Sequence, residues 1–272
     1  MSELSVSNEA RAAQAFSKQA AVFDKQYGND TIIRYKRQRV REHVEQYLPA
    51  SSRILELNAG TGEDAIYFSQ QGHCVHATDI AKGMLEQLEM KKNFLRLNDL
   101  LTSEQCDFTK LEQLTDSGPY DCIFSNFAGL NCTDWLGKVL GSMEHLLKPG
   151  GFATLVILPR FCLWEILLLF KGKFKTAFRR FSGSRGADAR VEGIHFKCWY
   201  YPPSFVIAHL PGFELLSLEG LCTFVPPSYL EGFAEKHPRF YKKLIGFEDR
   251  WRKTWPWKLM GDYYIISLRK PV

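Results

Sequence analysis

The chain has 272 residues with a formal net charge of +5, and 45% of its residues are hydrophobic. This composition excludes a disordered, collagenous or fibrous protein, and the length allows a single domain over residues 1–272 that needs no disulfides. The seven cysteines and seven histidines show no paired metal-ligand spacing, which predicts reduced cysteines, no metal site and a cytoplasmic protein.

The first part of the chain, about residues 1–48, predicts a helical cap. Apolar residues recur at three- and four-residue steps over 9–24 and 30–48, and Pro49 ends the second stretch. No basic region followed by an apolar core opens the chain, so we expect no secretory signal.

Strand-like and helix-like stretches then alternate through a core of about residues 50–158. Helices are predicted over 64–72, 81–92 and 135–147, while 94–106 is ambiguous. This alternation predicts βαβ units and a doubly wound, mostly parallel α/β sheet. The predicted strands are RILELNA (53–59), HCVHATD (73–79), YDCIFSN (120–126) and FATLVIL (152–158), then FELLSLEG (213–220) and DYYIISLRK (262–270).

A glycine-rich turn follows the first predicted strand. Gly60 and Gly62 leave room for the backbone to pass close to a ligand, and the next helix begins with unpaired N–H groups. Residues 60–65 also satisfy the dinucleotide pattern G-x-G-x-x-G/A, and Asp79 suits the acid that binds ribose hydroxyls. These residues predict a nucleotide-type site and leave a nicotinamide-dependent oxidoreductase open. Asp79 could alternatively serve only as a helix N-cap.

The stretch ELNAGTG (56–62) resembles the first motif of class I S-adenosylmethionine-dependent methyltransferases. Blocks at 76–80, 106–108 and 120–126 and the turn at 146–151 fit the same family in order and spacing. The N-terminal residues 16–24 are similar to the small-molecule branch that includes the ubiquinone and menaquinone biosynthesis methyltransferases. The resemblance implies a Rossmann-like, seven-stranded class I methyltransferase fold with helical and aromatic lid insertions at about 159–201 and 221–258.

The resemblance also implies residue roles toward S-adenosylmethionine and its product S-adenosylhomocysteine. Glu56 would face the cationic methionine end, Asp79 would accept both ribose hydroxyls, and Asp107 would accept the adenine amino group. Asn126 and Phe127 would border the methyl group, and Asn58 replaces the usual first glycine of the motif. The expected cofactor-binding residues are Glu56, Asn58, Gly60, Gly62, Asp79, Ile80, Met84, Cys106, Asp107, Phe108 and Asn126.

The net charge is segregated along the chain. Residues 158–200 and 236–258 each carry a net +6, and the remainder is −7. The basic segments coincide with the expected lid insertions and mix cations with aromatic residues, which suits a large apolar or aromatic substrate. Nucleic acid is not expected as a partner. The place after the fourth strand reads SNFA (125–128) and lacks the Asn/Asp-Pro-Pro-aromatic motif of base-amino methyltransferases.

The apolar stretch over 161–180 has two interpretations. It resembles an interfacial amphipathic segment with a basic flank, which would allow peripheral membrane contact, or it is a helix that packs on the core. Pro159, Arg160 and Glu165 interrupt it, so a membrane-spanning helix is not expected.

The predicted function is transfer of a methyl group to an O, N or C atom of a small, hydrophobic or aromatic metabolite, of the kind found in secondary metabolism. The predicted catalytic residues are His195, as the candidate base, and Tyr200, as a lid or substrate contact. Tyr27 is a further candidate contact, and a lone His among aromatic residues is more often structural. Two alternatives remain: an NAD(P)-dependent oxidoreductase, and a non-catalytic membrane-surface or partner-binding protein with a vestigial cofactor site. The sequence does not indicate the oligomeric state.

Overall fold

The computed structural model describes residues 6–272, except for the side chain of Lys171. The first five residues of the predicted helical cap lie outside the described residues. Two long helices follow at the N-terminus, close to the predicted bounds. The helices are α1 (Asn8–Tyr27), α2 (Thr31–Glu45), α3 (Glu63–Gln70), α4 (Lys82–Phe94), α5 (Leu136–Leu146), α6 (Leu163–Leu167), α7 (Phe174–Phe178), α8 (Pro203–Ala208), α9 (Phe233–Lys236) and α10 (Pro238–Trp251).

A seven-stranded sheet in the order β3-β2-β1-β4-β5-β9-β8 forms the centre of the chain. The strands β1 to β5 are parallel to one another, whereas β9 runs antiparallel to both β5 and β8. The prediction of a doubly wound, seven-stranded α/β fold is therefore confirmed. The strands are β1 (Arg53–Leu57), β2 (Cys74–Asp79), β3 (Leu101–Gln105), β4 (Tyr120–Ser125), β5 (Leu147–Ile157), β6 (Ala187–Val191), β7 (Ile194–Cys198), β8 (Glu214–Leu221) and β9 (Tyr263–Arg269).

Three details differ from the pattern in the sequence. The ambiguous stretch 94–106 contains β3, which lies at the edge of the sheet. The central residues of β3 are polar, so its sequence lacks the apolar pattern that would predict a strand. Strand β5 begins at Leu147, ahead of the expected Phe152, because residues 147–151 continue the pairing across an irregularity opposite β4. Within residues 159–201, the segment predicted as the first lid insertion, β6 and β7 form a separate antiparallel hairpin.

The sheet buries a hydrophobic core on each face. Successive residues of a strand point to opposite faces, so Ile54 packs in one core and Leu55 in the other. Helix α5 contributes to the Leu55 core, and α2, α3 and α4 contribute to the Ile54 core. The carboxyl ends of the parallel strands meet at one edge, where α/β folds bind their ligands.

A chain of ion pairs, most of them buried, fastens the segment predicted as the first lid insertion to the sheet. Arg180 is 2% exposed and binds Glu165 of α6 and Asp262, the residue before β9. Asp262 also pairs with Lys36 of α2, and Glu165 also pairs with Arg179. Glu165, Asp262 and Cys162 lie close enough together to hold a metal ion, but both carboxylates already bind Arg180.

None of the helices within residues 6–272 is both long and apolar enough to span a bilayer.

Candidate functional site

A cavity lies at the carboxyl ends of β1, β2 and β4, and we call it the cofactor cavity. Helix α1 closes one side of it through Phe16 and Phe23. The loops that follow the three strands form the floor. Its lining residues are Glu9, Ala12, Phe16, Phe23, Asn58, Gly60, Asp79, Ile80, Met84, Asp107, Phe108, Asn126, Phe127, Gly129 and Cys132.

The glycine-rich loop needs its glycines for two different reasons. Both have positive φ angles, +57° at Gly60 and +82° at Gly62. A Cβ atom on Gly60 would meet no other atom within 4 Å, so this glycine keeps the cavity open. A Cβ atom on Gly62 would lie 2.6 Å from Cγ of Leu88, so this glycine allows α4 to pack closely. Gly62 does not line the cavity.

Asp79 ends β2 and faces the cofactor cavity. Its Oδ2 accepts a hydrogen bond from the Gly60 amide and its Oδ1 accepts one from the Ala81 amide, both at 2.8 Å. Burial raises the pKa of Asp79, and the amides of Ala81, Gly60 and Ile80 oppose that rise. The carboxylate therefore fixes the glycine-rich loop while it faces the cavity.

Glu56 lies in the middle of the same edge, buried below the loop. It is 2% exposed, and its Oε2 has no hydrogen-bond partner among the described residues. Burial and the neighbouring charge of Asp64 raise the pKa of Glu56 well above its usual range, although Arg37 and Arg41 act in the opposite direction. An unpartnered buried carboxyl group of this kind has unused capacity to bind a cation.

Asp64, which the sequence did not single out, connects the site to α2. It lies in the first turn of α3 and accepts hydrogen bonds from Arg37 and Arg41 of α2 at 2.5 and 2.7 Å. Asn126 also donates to Asp64, at 2.9 Å. The Arg37 guanidinium lies over the Phe127 ring, 4.8 Å from its centroid. These contacts place two arginines of the helical cap beside the glycine-rich loop.

Asn58 joins the loop after β1 to the loop after β4. Its Nδ2 donates to the carbonyl oxygen of Asn126 at 2.8 Å, and its Oδ1 accepts from Ser125 at 2.6 Å. Phe127 and Ala128 follow with φ angles of +49° and +60°, a left-handed conformation that is rare for residues with a side chain. Strained backbone of this type concentrates at functional sites.

The far end of the cofactor cavity is apolar with one acid. Ile80, Met84 and Phe108 line it, and Asp107 caps the turn that begins at Phe108. One Asp107 oxygen, Oδ1, accepts from the amide and the hydroxyl of Thr109. Cys106 is buried beside this wall and does not line it; burial raises the pKa of its thiol to about 11.

A second cavity adjoins the first, and Phe16, Phe23 and Phe127 line both. We call it the apolar chamber. It lies between α1, α2, the start of β9 and the β6–β7 hairpin. Its residues are Phe16, Gln19, Phe23, Tyr27, Ile33, Lys36, Arg37, Phe127, Val191, Ser228 and Tyr263. The predicted contact Tyr27 belongs to this set.

The two predicted catalytic residues lie away from both cavities. His195 is exposed on β7, opposite Arg190 of β6, and Tyr200 is buried beneath the Arg180 guanidinium. Neither side chain lines the cofactor cavity or the apolar chamber. The catalytic role of each stays a prediction. Of the predicted cofactor residues, eight line the cofactor cavity, and Glu56, Gly62 and Cys106 do not.

The central part of the chain is similar to known proteins. Residues 54–151 match the family described as methyltransferase domain. The S-adenosyl-L-methionine-dependent Diels-Alderase iccD of Talaromyces variabilis is 34% identical over 42% of this chain and 38% of its own length. A demethylmenaquinone methyltransferase of Leptospira interrogans is 30% identical over 43% of this chain and 47% of its own. The chain thus covers less than half the length of these curated relatives.

Solved structures extend the likeness to the whole fold. The [4+2]-cyclase SpnF superimposes with a TM-score of 0.62 and 15% identity over 100% of both chains. The CcbJ methyltransferase from Streptomyces caelestis gives a TM-score of 0.62 and 16% identity over 95% of this chain and 98% of its own. The fold is that of class I methyltransferases, and the matches do not favour the nicotinamide-dependent oxidoreductase.

Proposed function

We propose that this chain, whose residues 54–151 match a methyltransferase domain and whose sheet has the class I methyltransferase fold, binds S-adenosylmethionine and methylates a small hydrophobic or aromatic metabolite. The observation that carries the proposal is the junction at Phe127. There the cofactor cavity, with its acids, opens beside a chamber whose walls are largely aromatic.

Two residues near the glycine-rich loop that do not line the cofactor cavity, Glu56 and Arg37, fit the charge pattern of the methionine end of S-adenosylmethionine. The methionine end carries an ammonium, a sulfonium and a carboxylate. Glu56 has an unpartnered buried oxygen for a cation, and Arg37 has N–H donors beyond the one that binds Asp64. The two side chains influence each other electrostatically across the loop. We therefore assign the cationic groups to Glu56 and the carboxylate to Arg37.

The other end of the cavity fits a nucleoside. Asp79 faces the cavity from the end of β2, where this class of fold binds ribose hydroxyls. Ile80, Met84 and Phe108 offer an apolar slot for a planar base, and Asp107 offers an acceptor for its amino group. The cofactor supplies an electrophilic methyl group on a sulfonium.

The chain's own contribution is alignment and exclusion of water. Methyl transfer is an in-line displacement, so the acceptor atom must be held opposite the sulfonium in a dry site. Phe16, Phe23 and Phe127 lie between the two cavities and provide that dry contact. No histidine lines either cavity within residues 6–272, and alignment is therefore the main catalytic device we assign to this chain.

Methyl-labelled S-adenosylmethionine tests the proposal directly. The protein is incubated with it and a fractionated metabolite extract, and mass spectrometry identifies labelled products. At a limiting concentration of S-adenosylmethionine, we expect the same yield of labelled metabolite with wild type and with the surface control Asp99→Ala, and a lower yield with Asp79→Ala. S-adenosylhomocysteine that fails to bind in calorimetry contradicts the proposal.

A second candidate function is a cyclisation without methyl transfer. It is supported by the 34% identity to a Diels-Alderase and the whole-length likeness to a [4+2]-cyclase. A chamber with aromatic walls could fold a flexible apolar substrate by exclusion of water alone. The same experiment separates the two functions: a cyclase gives an unlabelled product with the mass of its substrate and forms no S-adenosylhomocysteine.

Peripheral membrane contact forms a further part of the proposal. Gly172 lies between α6 and α7, and the apolar residues around it face solvent, with Phe170 89% and Phe174 61% exposed. Leu167, Phe178 and Phe181 are exposed as well. Cations flank them, so this surface complements an anionic bilayer.

Vesicle sedimentation tests the membrane contact. We expect binding to phosphatidylserine vesicles and little binding to phosphatidylcholine vesicles. The double variant Phe170→Ser/Phe174→Ser should lose binding. Phe94→Ser should retain it, because Phe94 is 86% exposed on α4, outside this segment. Equal sedimentation of wild type and the double variant would remove the proposal.

A further inference from the structure

The charged residues that line the apolar chamber are all positive. Among the described residues that line it, Lys36 and Arg37 are cationic and none is acidic. The remaining polar groups are uncharged, and most of the wall is aromatic or aliphatic. A cation facing an apolar space is costly unless an anion compensates it.

Lys36 is held rigidly in this wall. Its ammonium is 2.9 Å from Oδ2 of Asp262 and 3.5 Å from Oγ of Ser228, and it lies 4.7 Å from the centroid of the Tyr263 ring. Burial lowers the pKa of Lys36, but Asp262 and further neighbours raise it by more, so the amine is charged. A lysine ammonium has three N–H donors, and two of them have oxygen partners here.

The surrounding ion pairs leave positive charge in excess. Asp262 is shared between Lys36 and Arg180. Glu165 in turn is shared between Arg180 and Arg179. Three cations therefore meet two carboxylates, and the Lys36 end of this chain of pairs lies in the chamber wall.

We propose that Lys36 binds an anionic oxygen of the acceptor molecule, so that the substrate is a planar or largely apolar compound bearing a carboxylate or an acidic hydroxyl group. The inference rests on the proposed function, because it names the substrate class for the chamber beside the cofactor cavity. The third donor of Lys36 supplies the contact, and the charge on this donor makes an anionic oxygen a stronger partner than a neutral one.

Matched small probes test this assignment in the presence of S-adenosylhomocysteine. Binding of 1-naphthoate is compared with that of 1-naphthamide by calorimetry, because the two differ in charge and hardly in shape. We expect wild type to bind the carboxylate about tenfold more tightly, as a hydrogen bond to a charged group implies. Lys36→Met should abolish the preference, and Lys36→Arg should keep it. The exposed control Lys82→Met should behave as wild type.

A second probe covers the acidic hydroxyl. Ionisation of 4-nitrophenol is visible in its absorbance, and we expect the chamber to favour the ionised form in wild type and not in Lys36→Met. Either probe showing the charge preference supports the proposal and identifies the kind of oxygen. Equal affinity for naphthoate and naphthamide together with un-ionised bound nitrophenol would overturn it, as would a preference that survives in Lys36→Met.

The controls separate this inference from the proposed function. S-adenosylhomocysteine is titrated first into each variant, and thermal unfolding verifies that each is folded. Failure of S-adenosylhomocysteine to bind wild type contradicts the proposed function. Normal S-adenosylhomocysteine binding without a preference for anionic probes contradicts only the role of Lys36.

Discussion

Asp64 of α3 accepts a hydrogen bond from the side-chain amide of Asn126 at 2.9 Å. This contact joins the first helix after the glycine-rich loop to the loop that ends β4. The same carboxylate binds Arg37 and Arg41 of α2. One buried acid thus joins three parts of the chain, α2, α3 and the loop after β4, and Asn126 of that loop lines the cofactor cavity.

Replacement of Asp64 by Asn should loosen all three parts. The neutral amide cannot compensate both arginines, and each lost hydrogen bond to a charged group costs about 1.5–3 kcal/mol. We expect a lower free energy of unfolding in urea and weaker S-adenosylhomocysteine binding. The matched control Asp99→Asn changes an exposed acid. Unchanged binding by Asp64→Asn would mean that Arg37 does not contribute to the cofactor site.

Asp79→Ala should weaken cofactor binding more selectively. The change removes the acceptor for the Gly60 and Ala81 amides as well as the carboxylate that faces the cavity. Loss of these polar contacts predicts about 1–3 kcal/mol weaker binding of S-adenosylmethionine. Isothermal titration calorimetry measures this loss, and an unchanged affinity would contradict the cofactor assignment.

Glu56→Gln should have opposite effects on stability and binding. The pKa of Glu56 is raised in the folded protein, so ionisation opposes folding as the pH rises above the ordinary carboxyl value. We therefore expect the unliganded Gln variant to be more stable than wild type near neutral pH, and the difference to disappear in acid. Thermal unfolding across the pH range measures this.

Cofactor binding should show the reverse dependence at Glu56. A bound cation favours the ionised carboxylate, so binding should release a proton and strengthen as the pH rises through the pKa of Glu56. Calorimetry in two buffers of different ionisation enthalpy detects the proton. A proton release of the same size in Glu56→Gln would show that another group is responsible.

Gly60→Ala and Gly62→Ala should separate binding from stability. Both place a side chain at positive φ, which costs about 1–2 kcal/mol. At Gly62 the new methyl group also collides with Leu88, so overpacking adds about 1–3 kcal/mol of destabilisation. At Gly60 the methyl group enters the cavity, and the larger effect should be on S-adenosylhomocysteine affinity. Equal losses of stability in the two variants would contradict this.

His195→Ala tests the predicted base. The side chain is exposed and lines neither cavity, so its position predicts unchanged turnover and unchanged cofactor binding. Steady-state kinetics with the identified acceptor measures both. A fall in kcat with intact S-adenosylhomocysteine binding would instead establish His195 as a catalytic residue that reaches the acceptor.

The meeting of the expected cofactor residues at one edge of the sheet could be predicted from the sequence because it follows from local positions, whereas their roles toward the cofactor stay predictions. Glu56, Asp79 and Asp107 each end or follow a strand, and parallel strands bring their carboxyl ends to one edge. The same alternation predicted a mostly parallel sheet, and the family resemblance implied seven strands. The position of each of these acids at the end of its strand therefore predicts where it lies at the edge of the sheet.

The apolar chamber, which we propose binds the acceptor, could not be predicted from the sequence because it depends on long-range contacts. The pair between Arg180 and Asp262 joins residues 82 positions apart, and no local pattern announces it. The burial of Lys36, by contrast, is indicated by the sequence. Lys36 lies midway between Ile32 and Val40, on the buried face of α2. A lysine within an apolar stripe at four-residue spacing indicates a buried charge with a partner elsewhere.

The segment over 161–180 shows why two interpretations stayed open. Its composition suits either a packed helix or an interfacial one. In the structure Cys162 and Glu165 are buried, whereas Phe170 and Phe174 face solvent. The surrounding protein determines which residues of the segment are buried and which face solvent, and composition carries no such information.

The buried chain of ion pairs around Arg180 has a practical consequence for the choice of buffer. Dissolved salt screens exposed charges over about 8–10 Å at physiological ionic strength but reaches buried pairs far less. Concentrated salt should therefore weaken the proposed contact with anionic vesicles while Arg180 still fastens its segment to the sheet. Ionic strength becomes a means to study the proposed contact and the attachment of this segment independently in the same sample.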